Sequence, residues 1–138
     1  MNTAIVFTLA NALAGLQWLL LLVLPKAGIT QWLIKQALVP LLLSVIYCIF
    51  ITGFFQVPGG GFGSMQQVRA LFTNDNMLLA GWVHYLAFDL LTGFYILRTA
   101  QEHEMKHLLV VPVLILTFLF GPVGYLGFRI IQKATNRS

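Results

Sequence analysis

Four long apolar stretches separated by short polar breaks dominate the chain, at roughly residues 3–24, 36–57, 77–97 and 108–131. Each holds the ~20 residues that a helix rising 1.5 Å per residue needs to cross a ~30 Å hydrocarbon layer. Strands are excluded, because four cannot close a barrel and open edges leave unpaired backbone groups in lipid. The pattern predicts an all-α integral membrane bundle of four transmembrane helices, a single domain over residues 1–138. The first stretch opens at Thr3 with no Lys or Arg before it and no small-residue cleavage pattern after it. It reads as a retained helix with no signal or transit peptide.

The breaks are locally legible. Pro25 and Gly28 end the first helix, and Trp32 and Lys35 suit a membrane interface before the second. Pro58, Gly59, Gly60, Gly61 and Gly63 make a flexible loop. That loop is no phosphate cradle, since it lacks a preceding strand and a Lys-Ser/Thr pair. Residues Ser64 to Phe72 then predict a short amphipathic interfacial helix between helices two and three, and Asn74-Asp75 predicts the cap of the third.

Composition agrees with lipid as the solvent. Of 138 residues 59% are hydrophobic and 9% charged, where a soluble domain carries about a quarter charged residues. The formal charge of +4 comes from eight scattered Lys and Arg, without a dense run or an aromatic-interleaved basic stripe. Nucleic acid is therefore excluded as a partner, and anchoring near lipid headgroups is expected. The single cysteine, Cys48, sits in an apolar run and is expected to pack as a small hydrophobe. Four crossings would put both termini on one side, with Arg69, Arg129, Lys133 and Arg137. Lys26, Lys35, Arg98 and Lys106 would lie on the other, so the charge count ties.

Polar residues inside apolar segments are costly and mark candidate function. The third helix carries His84 and Asp89, with Asp89 near the bilayer midplane, where a bare carboxylate costs several kcal/mol. Trp82, Tyr85 and Asp89 share a stripe, while His84 points about 140° away from Asp89. Asn11, Gly15, Gln17, Tyr47, Thr117 and the Gly121-Pro122 break are expected at comparable depths. Such a layer suits either a polar network that fixes packing or a lined pocket. Gly121-Pro122, followed by Gly124 and Gly127, predicts a bent fourth helix, serving tight packing or a slot for a flat or rod-like apolar ligand.

His103-Glu104-Met105-Lys106-His107 spells H-E-x-x-H, which on a helix would place two histidines on one face for zinc. A third ligand is missing, since His84 lies roughly 20 Å away along the helices. The motif also falls in the connection between helices three and four, where polar residues are expected.

Gly81-Trp-Val-His-Tyr-Leu-Ala-Phe-Asp89-Leu and Leu116-Thr-Phe-Leu-Phe-Gly-Pro-Val-Gly124, with Gly63-Ser-Met-Gln-Gln-Val-Arg-Ala-Leu-Phe72 upstream, are long and unusual. They resemble the neoxanthin-synthesis family, whose plant members are named for abscisic-acid deficiency. The resemblance implies a multi-pass membrane protein needed in plants to turn violaxanthin into neoxanthin, opening an epoxide into an allene. This chain begins directly at its first helix and reads as a bacterial-type member in an inner (plasma) membrane.

The chemistry of that isomerisation needs an acid at the epoxide oxygen and a base at the neighbouring vinylic proton. A protonated Asp89 is the candidate acid and His84 the candidate base. Trp82, Tyr85, Phe88, Tyr47, Thr117, Gly121 and Pro122 are the candidate substrate-binding residues. The leading expectation is a carotenoid or related isoprenoid ligand among membrane lipids, bound or isomerised, with no cofactor and no metal. The alternatives are a non-enzymatic membrane scaffold and a zinc-dependent enzyme using His103, Glu104 and His107.

Overall fold

The computed structural model describes residues 2–135; Arg137, which entered the charge count above, lies outside them. All regular structure among the described residues is helical: α1 (Thr3–Val23), α2 (Gly28–Gln36), α3 (Leu38–Ile51), a 3-10 turn (Thr52–Gln56), α4 (Met65–Leu71), α5 (Asp75–Glu102) and α6 (His107–Thr135). Among the described residues four stretches are, by length and composition, long and apolar enough to cross a membrane: Thr3–Val23, Gly28–Gln56, Asp75–Glu102 and His107–Thr135. The second starts earlier than the hydropathy pattern implies. Trp32 and Lys35 lie on α2, which ends where Ala37 turns left-handed (φ 47°) and its N–H reaches the Ile34 and Leu33 carbonyls.

The chain divides into two compact units. Unit 1 comprises Met1–Ala14 and Val39–Ala87, and unit 2 comprises Gly15–Leu38 and Phe88–Ser138. In unit 1 the interfacial helix is α4. Ser64 caps it by accepting from the Gln67 N–H, while Gln67 Oε1 accepts from the Gly63 N–H at 2.9 Å, a variant of the capping box. Leu71 is buried, and Phe72 packs so closely on Gly81 that a β-carbon there would lie 2.6 Å from its ring. Asn74 starts α5 by accepting from the N–H groups of Asn76 and Met77. The interior of unit 1 is apolar, with Leu43, Ala80 and Val83 fully buried.

In unit 2, Gln31 and Gln101 both donate to the Pro25 carbonyl, and Gln31 also donates to Gln101 Oε1. His107 Nε2 donates to the Leu22 carbonyl at 2.8 Å, satisfying an acceptor at the open end of α1. These bonds gather the end of α1, the start of α2, the end of α5 and the start of α6 at one end of the unit.

The fourth apolar stretch is not one rod. Phe120 (φ −144°, ψ 46°) and Gly121 (φ 0°, ψ −72°) leave the helical region in the middle of α6. Beyond them the chain reverses. A β-carbon on Gly124 would overlap the side chain and backbone of Thr117, yet seven residues of unbroken helix span ~10 Å. The Tyr95 ring meets Tyr125 at 6.0 Å and Phe128 at 6.3 Å, and its hydroxyl accepts from Arg129 Nη1 at 3.3 Å. Tyr95 lies ~10 Å down α5 from the turn into α6, whereas on a straight α6 Phe128 would lie ~31 Å from it. Only a hairpin reconciles these contacts. Residues 107–119 go in and 122–135 come back, each arm about 20 Å long.

The reversal has local causes. Pro122 lacks an N–H and suits the first turn of the returning arm, and Gly124 lets the two arms touch at the backbone. Non-helical backbone at membrane depth is tolerated where protein buries it; Gly121 is buried, while Phe120 beside it is exposed. The expected bend at Gly121-Pro122 is thus a re-entrant hairpin. The end of α6 returns to the end of unit 2 where α6 begins, so placing both termini on one side loses its basis.

Candidate functional site

Asp89 stands at the middle of α5, 14 residues after Asp75 and 13 before Glu102. It is 8% exposed. Its carboxyl lies against the hairpin tip, where a β-carbon on Gly121 would collide with Oδ1. Gly121 is equally central, 14 residues from either end of α6. A carboxyl at the middle of α5 therefore meets the one place in α6 where the backbone is not helical. Thr117, with no exposed surface, donates to the Val113 carbonyl at 2.8 Å and lies beneath Gly124. Phe88 and Pro122 are on the outside of unit 2.

Other polar side chains are buried in unit 2, among them Gln17, Thr30 and Gln132. Gln17 is 1% exposed and neither atom of its amide has a hydrogen-bond partner. It shares the buried face of α1 with Trp18 and Leu21. Trp18 packs on Gly93, whose hydrogen leaves room for the indole, and meets Phe118 at 5.6 Å. An unpaired buried amide costs a few kcal/mol. Sequence reasoning placed Gln17 at depth but not in the site. Its signal was its spacing, three residues after Ala14 and four before Leu21.

The remaining expected site residues belong to unit 1. Trp82 donates from Nε1 to Asn11 Oδ1 at 3.1 Å, while Asn11 Nδ2 donates to the Phe7 carbonyl. The indole also stacks obliquely on Phe7 (5.6 Å) and Tyr85 (5.4 Å). Beside it lies a nearly all-apolar cavity of about 290 Å³, lined by Phe7, Leu78, Leu79 and Trp82 among others. Tyr47 and His84 form a separate ring contact at 5.6 Å. His84 is exposed and Asp89 buried, as their 140° separation on α5 requires. The structure therefore does not turn the candidate acid and base toward one point.

The H-E-x-x-H segment does not form a helix face. It crosses the end of α5, where Met105 N–H bonds to the Ala100 carbonyl and Glu104 N–H to the Gln101 carbonyl. Glu104 itself is left-handed, φ 51°. This is a Schellman ending with glutamate in the position glycine prefers. His103 bonds to the Thr99 carbonyl and His107 to that of Leu22. Because Glu104 holds a glycine conformation, Glu104→Gly is expected to leave stability unchanged or raise it by up to ~1 kcal/mol. Denaturant unfolding in micelles checks this, and a loss above ~1 kcal/mol would show that the glutamate side chain has work of its own.

A family model described as ABA4-like, ABA DEFICIENT 4-like, matches residues 5–128. No curated protein and no solved structure matches the chain. The match covers nearly the whole sequence and agrees with the motifs around Gly81–Asp89 and Leu116–Gly124. Among the described residues the chain carries four apolar stretches that mark a membrane protein, the fourth folded back on itself, and it belongs to the ABA4-like family.

Proposed function

We propose that this protein binds a carotenoid or related isoprenoid within the bilayer, with Asp89 as the polar group that engages an oxygen of the ligand. One observation carries the reading: a buried carboxyl at the centre of α5 packed against interrupted backbone at the centre of α6. Ionisable groups at this depth mark ligand or proton pathways. The unpaired amide of Gln17 in the same unit supports it, since a ligand oxygen or hydroxyl would satisfy that amide. The apolar cavity beside Trp82, near the ~300 Å³ lower end of ligand pockets, supports apolar binding in unit 1 on its own account.

If the ligand is isomerised, a protonated Asp89 delivers a proton to the epoxide oxygen while a base removes the vinylic proton. One proton is gained and one lost, so no oxidant is required. The exposure of His84 argues against its acting on the same ligand atoms as Asp89. In a reconstituted violaxanthin assay, Asp89→Asn is expected to lower conversion at least ~100-fold, the scale of general acid catalysis. His84→Ala is expected to change it less than ~3-fold, well below that scale. Organic extraction of the wild-type protein should recover a stoichiometric isoprenoid, and Asp89→Asn should recover less. Unaltered conversion and unaltered ligand content in Asp89→Asn would overturn the assignment. A second reading, a scaffold in which Asp89 only pins the hairpin tip, predicts no recovered ligand from the wild type.

A further inference from the structure

Away from Asp89, unit 2 holds a cavity of its own toward its charged end. Lys35, in the last turn of α2, and Arg98, near the end of α5, both line a space of about 470 Å³. They also line an adjoining space of similar size beside Trp32. Leu91 and Phe94 line the part farther along α5, with Leu91 40% exposed, and Glu102 lines the part beside the helix end, its interfacial mouth. From Glu102 to Leu91 is 11 residues of helix, about 16 Å, so the cavity passes from the interfacial level well into the hydrocarbon. Tyr95 forms part of the wall, and its hydroxyl is held by Arg129 of the returning arm.

Two cations from different helices facing one cavity repel each other unless an anion lies between them. One carboxylate, Glu102, offsets part of that charge. A guanidinium and an ammonium together suit a phosphate, which accepts charge-assisted hydrogen bonds from both. The apolar wall suits a hydrocarbon tail. We infer that Lys35 and Arg98 form a site for a phosphate-bearing amphiphile, with the phosphate at the mouth and the chain along Leu91 and Phe94. This site does not depend on the ligand proposed for Asp89.

Two sources share that chemistry: the phosphodiester of a bilayer lipid and the diphosphate of a prenyl chain. Purified protein in neutral detergent would be titrated with dioctanoyl phosphatidylglycerol, with farnesyl diphosphate and with inorganic phosphate, following binding by native mass spectrometry. At least one amphiphile is expected to bind at least tenfold more weakly to Lys35→Gln/Arg98→Gln than to the wild type. The conservative Arg98→Lys should retain most of the binding, and Lys133→Gln should be unaffected. Which amphiphile responds identifies the source. Equal binding of both amphiphiles by the wild type and the double variant would overturn the site. So would inorganic phosphate matching the amphiphiles, because the tail would then contribute nothing. Unfolding midpoints of the unliganded variants should be no lower than that of the wild type, which separates loss of the site from loss of the fold.

Discussion

Gly124→Ala should unfold this protein at a temperature roughly 10 °C lower than the wild type, corresponding to about 3 kcal/mol for a chain of this size. The β-carbon would enter the space of Thr117, including its backbone nitrogen and Cα. Backbone cannot rotate away as a flexible side chain does, so the two arms of α6 must separate. Separation exposes the tip at Gly121 and removes the surface that Asp89 packs against. Gly127→Ala provides the control on the same arm, where an added β-carbon meets nothing within 4 Å. There alanine should be neutral or stabilising by up to ~1 kcal/mol, since it favours helix over glycine. Equal behaviour of the two variants would mean that the arms do not touch at Thr117.

A reporter fused beyond the end of α6 should face the same side of the membrane as the turn at residues 103–106, and that side should be the cytoplasm. The returning arm brings Arg129 and Lys133 back toward the end of unit 2 that carries Lys26, Lys35, Arg98 and Lys106. Six of the eight Lys and Arg then favour one side, where a straight α6 gave a tie. Positive charge in short connections sets orientation toward the cytoplasm. A fluorescent C-terminal fusion should therefore be active and a periplasmic phosphatase fusion silent, an all-or-none difference. A single cysteine introduced in the 103–106 turn should be labelled from the same side. Labelling of the turn and the C-terminal end from opposite sides would contradict the hairpin.

Much of this was legible in the sequence, and the exceptions have physical reasons. The four apolar stretches, the cap at Asn74, the short helix after Ser64 and the opposed faces of His84 and Asp89 follow from local pattern alone. The reversal in α6 does not. Val110, Leu114, Thr117, Gly121, Gly124 and Phe128 are spaced three or four residues apart. That spacing lines one face of a straight helix just as well as it lines the two facing arms of a hairpin. Gly121-Pro122 announces a break but not its angle, which is set by how closely Gly124 approaches Thr117. The left-handed turn at Glu104 was hidden for another reason. Glutamate is seldom found in a conformation that glycine dominates, so the H-E-x-x-H spelling drew attention to zinc chemistry and away from a helix ending. For the site, the central depth of Asp89 was readable, but its contact with Gly121 depends on the fold-back.

The hairpin is the feature on which the site and the sidedness both rest, and one distance tests it directly. Spin labels would be placed at Leu108 and Lys133, both exposed, in a Cys48→Ala background. The two positions lie almost equally far from the Phe120-Gly121 reversal, one on each arm. Packed helices run 8–10 Å apart, so the labels should lie within ~20 Å and broaden each other's spectra strongly. A separation near 37 Å, the span of 25 residues of unbroken helix, would show that α6 crosses as a single rod and that the hairpin does not form.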